Sequence, residues 1–323
     1  MTVIPPDNRR VVNPNNPSEF NRFPFPAVTA IDILYSFGNR VGSGIVVSPN
    51  HVLSAGHNGF RVQTGTAALG IRATTSADQV NLNSRGIGNH NDPLANVINR
   101  DYVANFTSTG EKKDDIVLFE TSNSLLDPSE VIGMIAFVNP KSAKNLPIET
   151  AGYPGDNVSA NIPGNTGAES RDLVVAPGDG STATIVGIRN QRRFYYSKNI
   201  STFKGQSGSG VWHSLDGDMP RVLGIHTAGV PSGLFAIKRN NGVLLTTDIY
   251  KKINDIIAAD SGTENADSLP ENAIIGSNPG LFALGNDTII GTYRRERILG
   301  QGGNDRLLGG GADDRLEGGD GVD

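Results

Sequence analysis

Three short blocks of the chain hold residues whose types and spacing suggest chemistry. The first, Leu53-Ser54-Ala55-Gly56-His57, places a histidine after a short apolar run. In the second, Asp115-Ile116-Val117-Leu118, an acid opens another apolar run, with Asp114 as the rival acid one residue further out. The third, Gly205-Gln206-Ser207-Gly208-Ser209-Gly210, sets a serine in a glycine-rich turn before Val211-Trp212. A serine hydroxyl is a weak nucleophile at neutral pH and needs an adjacent base. Histidine can take its proton, and a buried carboxylate can hold the imidazole tautomer and stabilise the imidazolium. Singly, each block has a bland reading: a core histidine, an acid before a strand, a Gly/Ser turn. Together they stand in the order His, Asp, Ser, separated by 58 and 92 residues, each beside a predicted strand. That order points to acyl transfer by His57, Asp115 and Ser207.

The elements that position these residues read as all-β from Phe23 to about Ile257. Val28 to Tyr35 alternates apolar and polar side chains, as a half-buried strand does. Further short apolar runs cover Gly44 to Val47, Val52 to Ser54, Ile116 to Phe119, Ile185 to Ile188 and Val222 to His226. Gly, Pro, Asn and Asp separate them. Many short strands without helical patterns between them predict a sandwich or barrel. One helix is expected where Ile249, Ile253, Ile256 and Ile257 share a face, with Thr247 as its N-cap.

Composition narrows the function classes. The 28 basic and 33 acidic side chains leave a net charge of -5, which gives no footprint for nucleic acid and no polybasic membrane signal. No apolar run is long enough to span a bilayer. The start, Met1 to Pro17, has no apolar h-region, so no ordinary secretory leader is expected there. With no cysteine, the chain has no disulfides, thiolate metal sites or cysteine nucleophile.

The three blocks resemble those of the chymotrypsin-like serine peptidases, which carry T-A-A-H, D-I-A-L and G-D-S-G-G segments. Finer detail is similar to the glutamyl endopeptidases, the V8-like branch. Ser209 matches its G-N-S-G-S block, and Gly152-Tyr153-Pro154-Gly155-Asp156 matches its Y-P-G-D segment. Gly224-Ile225-His226-Thr227-Ala228-Gly229-Val230-Pro231 resembles G-I-H-W-G-G-V-P, and Val3-Ile4-Pro5-Pro6 resembles the mature N-terminus. The likeness covers most of residues 3 to 257. It implies a double β-barrel with a C-terminal helix over residues 1–257, and peptide or protein substrates. The catalytic residues would be His57, Asp115 and Ser207, with the N–H groups of Gly205 and Ser207 as oxyanion hole. Glutamate would be preferred before the scissile bond. The resemblance places Thr202 and His226 in that specificity pocket, a protonated His226 adding charge. Thr227, Ala228 and Gly229 would pair with the substrate backbone, and the free amine of Val3 would help hold its carboxylate. Here Met1 and Thr2 precede Val3, and Phe203-Lys204 replaces the usual small pair before Gly205.

Residues 258–281, rich in Asp, Ser, Asn, Glu and Pro, read as a linker. From Phe282 the chain repeats with a period of nine, and residues 282–323 hold 11 of the 40 glycines. The sixth position carries Asp287, Glu296, Asp305, Asp314 and Asp323, and the eighth Ile289, Ile298, Leu307 and Leu316. This resembles the RTX nonapeptide, which implies a short parallel β-roll, incomplete in its fifth unit, that binds calcium through Asp287, Asp305, Asp314 and Asp323. The second unit departs from the pattern with Thr292, Arg294 and Glu296. The same resemblance implies a bacterial, extracellular protein exported by type I secretion machinery. Two rival readings stand beside this one. The first is a serine endopeptidase of other specificity; the second is a calcium-binding surface or adhesion protein with an inactive peptidase domain.

Overall fold

The computed structural model describes residues 9–12, 16–75, 96–154, 173–177, 180–197, 200, 202, 205–228, 240–260, 268–277 and 285–323. Six strands form the first barrel: β1 (Val28–Tyr35), β2 (Gly38–Ser48), β3 (His51–Ser54), β4 (Gly70–Thr75), β5 (Val97–Asp101) and β6 (Val117–Thr121). They run in the order β4-β1-β2-β3-β6-β5, and a bridge between Arg72 and Asn96 joins the ends. The alternation in β1 predicted a half-buried strand, but both of its faces are covered, and of its residues Leu34 alone is partly exposed. Ile31 and Ile33 are buried in the core, while Asp32 meets Arg72 at 3.3 Å, both buried. Desolvation of the two charges offsets much of their attraction, so a buried ion pair of this kind adds little net stability.

The second barrel uses β7 (Gly133–Phe137), β8 (Pro147–Gly152), β9 (Val174–Ala176), β10 (Ala183–Arg189), β11 (Arg193–Tyr196), β12 (Gly210–His213), β13 (Arg221–Ala228) and β14 (Asn241–Leu244). Strand β12 pairs with both β8 and β13, which closes the ring β8-β10-β11-β14-β13-β12. The fold is therefore the all-β double barrel expected from the strand pattern. Helix α1 (Thr247–Asp260) follows and buries Ile249, Tyr250, Ile253, Asn254 and Ile257. It starts one residue earlier than the sequence suggested. The carbonyl of Thr246 accepts the amide of Tyr250, so Thr246 rather than Thr247 holds the N-cap position, and its hydroxyl donates to the Asp248 carboxylate.

The stretch read as a linker contains a strand, β15 (Asn272–Ile275). It lies parallel between β7 of the barrel and β17 (Glu296–Gly302), which in turn pairs in parallel with β19 (Arg315–Asp320). A second parallel ladder joins β16 (Thr288–Ile290) to β18 (Arg306–Leu308). Register partners such as Arg297 and Arg315, or Thr288 and Arg306, stand 18 residues apart, so two nine-residue units make one coil. The tail is thus a parallel roll grown on the open edge of the second barrel. Asn272 locks that junction, its side-chain oxygen accepting the Met134 amide at 2.7 Å. Composition hid this strand because Asn-Ala-Ile-Ile is short and draws its pairing from both sides.

Candidate active site

His57 sits in the one-turn helix Gly56–Gly59 directly after β3. Asp115 lies just before β6, which pairs with β3 through Ser54 and Val117. This pairing sets the histidine and the acid side by side. The His57 Nδ1 is 2.8 Å from Asp115 Oδ2 and 3.1 Å from Oδ1, and the His57 backbone N–H donates to Oδ1 at 2.8 Å. One carboxylate therefore pins both the ring and its backbone. Tyr35 adds a clamp from β1, its hydroxyl donating to the carbonyls of His57 and Asn58 at 3.1 and 3.3 Å. The rival acid points elsewhere: Asp114 Oδ2 accepts the Thr109 hydroxyl at 2.8 Å.

Ser207 stands on the turn before β12, in a cleft of about 430 Å³ whose lining includes His57, Asn58, Tyr35, Arg61 and Gly205. The turn is tied down by its carbonyls. Ser207 O accepts the Ser43 amide at 2.8 Å and Asn58 Nδ2 at 2.9 Å, and Gly205 O accepts the Ser43 hydroxyl at 2.8 Å. Gly208 N–H donates to His226 O at 2.7 Å. The amides of Gly205 and Ser207 donate to nothing among the described residues. Glycine is required twice in this turn: φ is +95° at Gly205 and +94° at Gly208, and a Cβ on Gly208 would fall 2.0 Å from Ser43 O. Neither Ser43 nor Asn58 was singled out in the sequence. Asn58 could have been, as the neighbour of His57; Ser43 gives no local signal.

The His57 imidazole is 37% exposed at the cleft edge. Burial lowers its pKa, but the charge and hydrogen bonds of Asp115 outweigh this and hold it above the ordinary 6.5. His226 behaves in the opposite way. It is 1% exposed, and desolvation, helped by the nearby His57 charge, pushes it down to about 3. Against the expectation of a protonated His226, the ring is neutral while the pocket is empty, since no counter-charge among the described residues repays its burial. Its Nδ1 lies 3.4 Å from the Tyr196 hydroxyl. The hydroxyls of Thr202 and Thr227 are buried and have no hydrogen-bond partner among the described residues. Ala228 ends β13. Val3, Gly229 and Phe203-Lys204 lie outside the described residues.

In the tail, the expected calcium ligands divide between two edges of the roll. Along one, the Asp287 amide donates to Asp305 Oδ1 and the Asp305 amide to Asp323 Oδ1, each at 2.8 Å. Along the other, the Glu296 amide donates to Asp314 Oδ1 at 2.9 Å. Asp287 is filled by Ser277, whose amide and hydroxyl donate at 2.6 and 3.1 Å. Asp305 Oδ2 is different: it is buried with no donor among the described residues, the arrangement a hard cation would complete. Glu296 offers no such opening. Tyr250 O–H donates to it at 2.7 Å, the Thr292 amide at 3.1 Å, and the Thr292 hydroxyl as well. No three histidine or acidic side chains converge as a metal centre among the described residues.

The double barrel is the fold of the chymotrypsin-type serine proteases. A Glu endopeptidase solved in complex with MPD superposes with a TM-score of 0.56 at 18% identity, covering 80% of this chain and 100% of that one. The protease Anisep from Arthrobacter nicotinovorans gives a TM-score of 0.50 at 16% identity, covering 73% of this chain and 97% of that one. No protein-family model matches the chain, and a search of curated proteins finds no relative.

Proposed function

We propose that the chain is a serine endopeptidase acting through an acyl-enzyme. The observation that carries this reading is the His57 imidazole held at 2.8 Å by Asp115, in one cleft with Ser207 on a glycine-shaped turn. His57 takes the Ser207 proton as the hydroxyl attacks the scissile carbonyl, then gives it to the leaving amine. Asp115 keeps the Nδ1 proton in place, so the other ring nitrogen acts as base. Negative charge growing on the carbonyl oxygen meets the free amides of Gly205 and Ser207, which cost nothing to reorganise. Water then releases the acyl group by the same proton route.

The preferred substrate carries glutamate before the cut. The motif resemblance supports this, and Thr202 and His226, the two residues it assigns to the pocket, are both buried. Calcium is the proposed ion of the tail, held by Asp305 and Asp323 with backbone carbonyls, and its binding would complete the roll. Export through type I secretion machinery to a calcium-rich exterior follows from the same repeats. The test is hydrolysis of short peptides that differ only in the residue before the cut, with Ser207→Ala as control. Cleavage after Glu that Ser207→Ala abolishes is expected. Serine-dependent cleavage after other residues would remove the glutamyl assignment, and hydrolysis surviving the substitution would remove Ser207 as nucleophile.

A further inference from the structure

Tyr196 ends β11 and is fully buried. Its ring stacks on His226 with centroids 5.8 Å apart and planes 30° apart. Its hydroxyl meets His226 Nδ1 at 3.4 Å, and this is its one hydrogen-bond partner among the described residues. The backbone holds it there: the Tyr196 amide donates to Asn240 O at 3.0 Å, and Asn240 Nδ2 donates to Ile200 O at 2.6 Å. His226 Nε2 bonds nothing among the described residues, and neither does the Thr202 hydroxyl.

These contacts fix a proton. A phenol has one hydrogen to give. Were Nδ1 protonated, the phenol oxygen would accept, and its own buried hydrogen would be left without an acceptor. A doubly protonated ring would force the same loss. The arrangement that leaves the fewest groups unpaired among the described residues has Tyr196 donating to a bare Nδ1 and the ring proton on Nε2, where it is open to a ligand. Burial keeps the phenol protonated, well above its ordinary value, so the donor persists at any working pH.

We infer that Tyr196 is a positioning residue that sets substrate choice by locking His226 in its neutral Nε2–H form. This deepens the glutamyl reading and rests on it. In the specificity pocket that the glutamyl reading assigns to these residues, the two donors would then both be neutral: Nε2–H of His226 and the Thr202 hydroxyl. A carboxylate can accept from both at once. Recognition is by paired donors and not by a resident positive charge, and it depends on a residue that touches no substrate.

The test uses the full chain in two forms. In uniformly 15N-labelled Ser207→Ala protein, which cannot digest itself, the ring nitrogens of His226 are read by NMR. A pyridine-like Nδ1 and a pyrrole-like Nε2 are expected, and adding Tyr196→Phe should mix the tautomers. A proton on Nδ1, or a charged ring at pH 7, would overturn the inference without Tyr196→Phe having to fold. In the active chain, Tyr196→Phe removes one oxygen and should lower kcat/KM for Glu peptides roughly tenfold. It should leave peptides with other residues before the cut unchanged. A wild-type Glu preference that Tyr196→Phe leaves intact sinks the role of Tyr196 while the glutamyl reading stands. A wild type with no Glu preference sinks that reading, and the tautomer result then decides the lock alone.

Discussion

His57 is under two opposed pulls, and their balance sets how activity depends on pH. Desolvation favours the neutral ring; the charge of Asp115 and its hydrogen bonds favour the imidazolium and prevail. The acid limb of kcat/KM should therefore fall with an apparent pKa above the ordinary 6.5. The stability sign is the reverse. Because the folded pKa is raised, the stabilisation from this pair is complete below pH 6.5 and is lost as pH rises through the folded value. His57 becomes a free base in the range where the chain loses that stabilisation. Asp115→Asn should lower kcat about 10⁴-fold, the cost of freeing the wrong tautomer. It should also move the acid limb to lower pH, since it removes the charge that raises His57. A pH profile of the variant checks both effects, and an unshifted limb would disconnect Asp115 from His57.

At the level of elements, helix α1 touches the roll near its start and the first barrel at its end. Near its start, Tyr250 donates to Glu296 of β17. At its end, Asp260 Oδ2 lies 3.3 Å from Nε2 of the buried His51, whose Nδ1 meets the Ser48 hydroxyl at 3.0 Å. Burial raises the pKa of Glu296, so each donor to it matters. Tyr250→Phe should cost about 1–3 kcal/mol, the penalty for a buried acceptor deprived of a partner. Denaturant unfolding with and without calcium measures it. The same loss in both is expected, since protein donors already fill this turn; rescue by calcium would make Glu296 a cation ligand. The sequence flagged the second repeat as irregular through Thr292, Arg294 and Glu296. The reason lay 42 or more residues upstream, on a helix face that only packing brings near.

At the scale of the whole molecule, one sheet runs from the second barrel into the roll through β13, β7, β15, β17 and β19. Order in the roll and stability of the barrel edge are therefore coupled. Calcium that binds only the folded roll should raise the melting temperature of the full chain, by about 2.7 kcal/mol of stability at a hundredfold excess over Kd. Asp305→Asn should remove most of that gain, because Asp305 Oδ2 is the buried acceptor without a donor. Thermal melts across a calcium series check this. A gain unchanged in the variant would move the ion away from Asp305.

The sequence by itself determined what depends on local pattern. Alternating apolar residues specified the strands, the nine-residue period specified the coil of the roll, and the Gly-x-Ser-Gly turn specified a backbone that only glycines allow. It also named His57, Asp115 and Ser207, because each lies in a short block at a strand end. Tertiary structure alone decided what depends on groups distant in the chain. The pairing of β3 with β6 brought Asp115, already favoured by the sequence, within 2.8 Å of the His57 ring. Burial made His226 neutral, against the charge its residue type allows. Tyr196, Asn58 and Ser43 acquired their roles from neighbours 30, 149 and 162 residues away. A hydrogen bond across such a separation leaves no periodic trace, since its partners are fixed by how the barrels close.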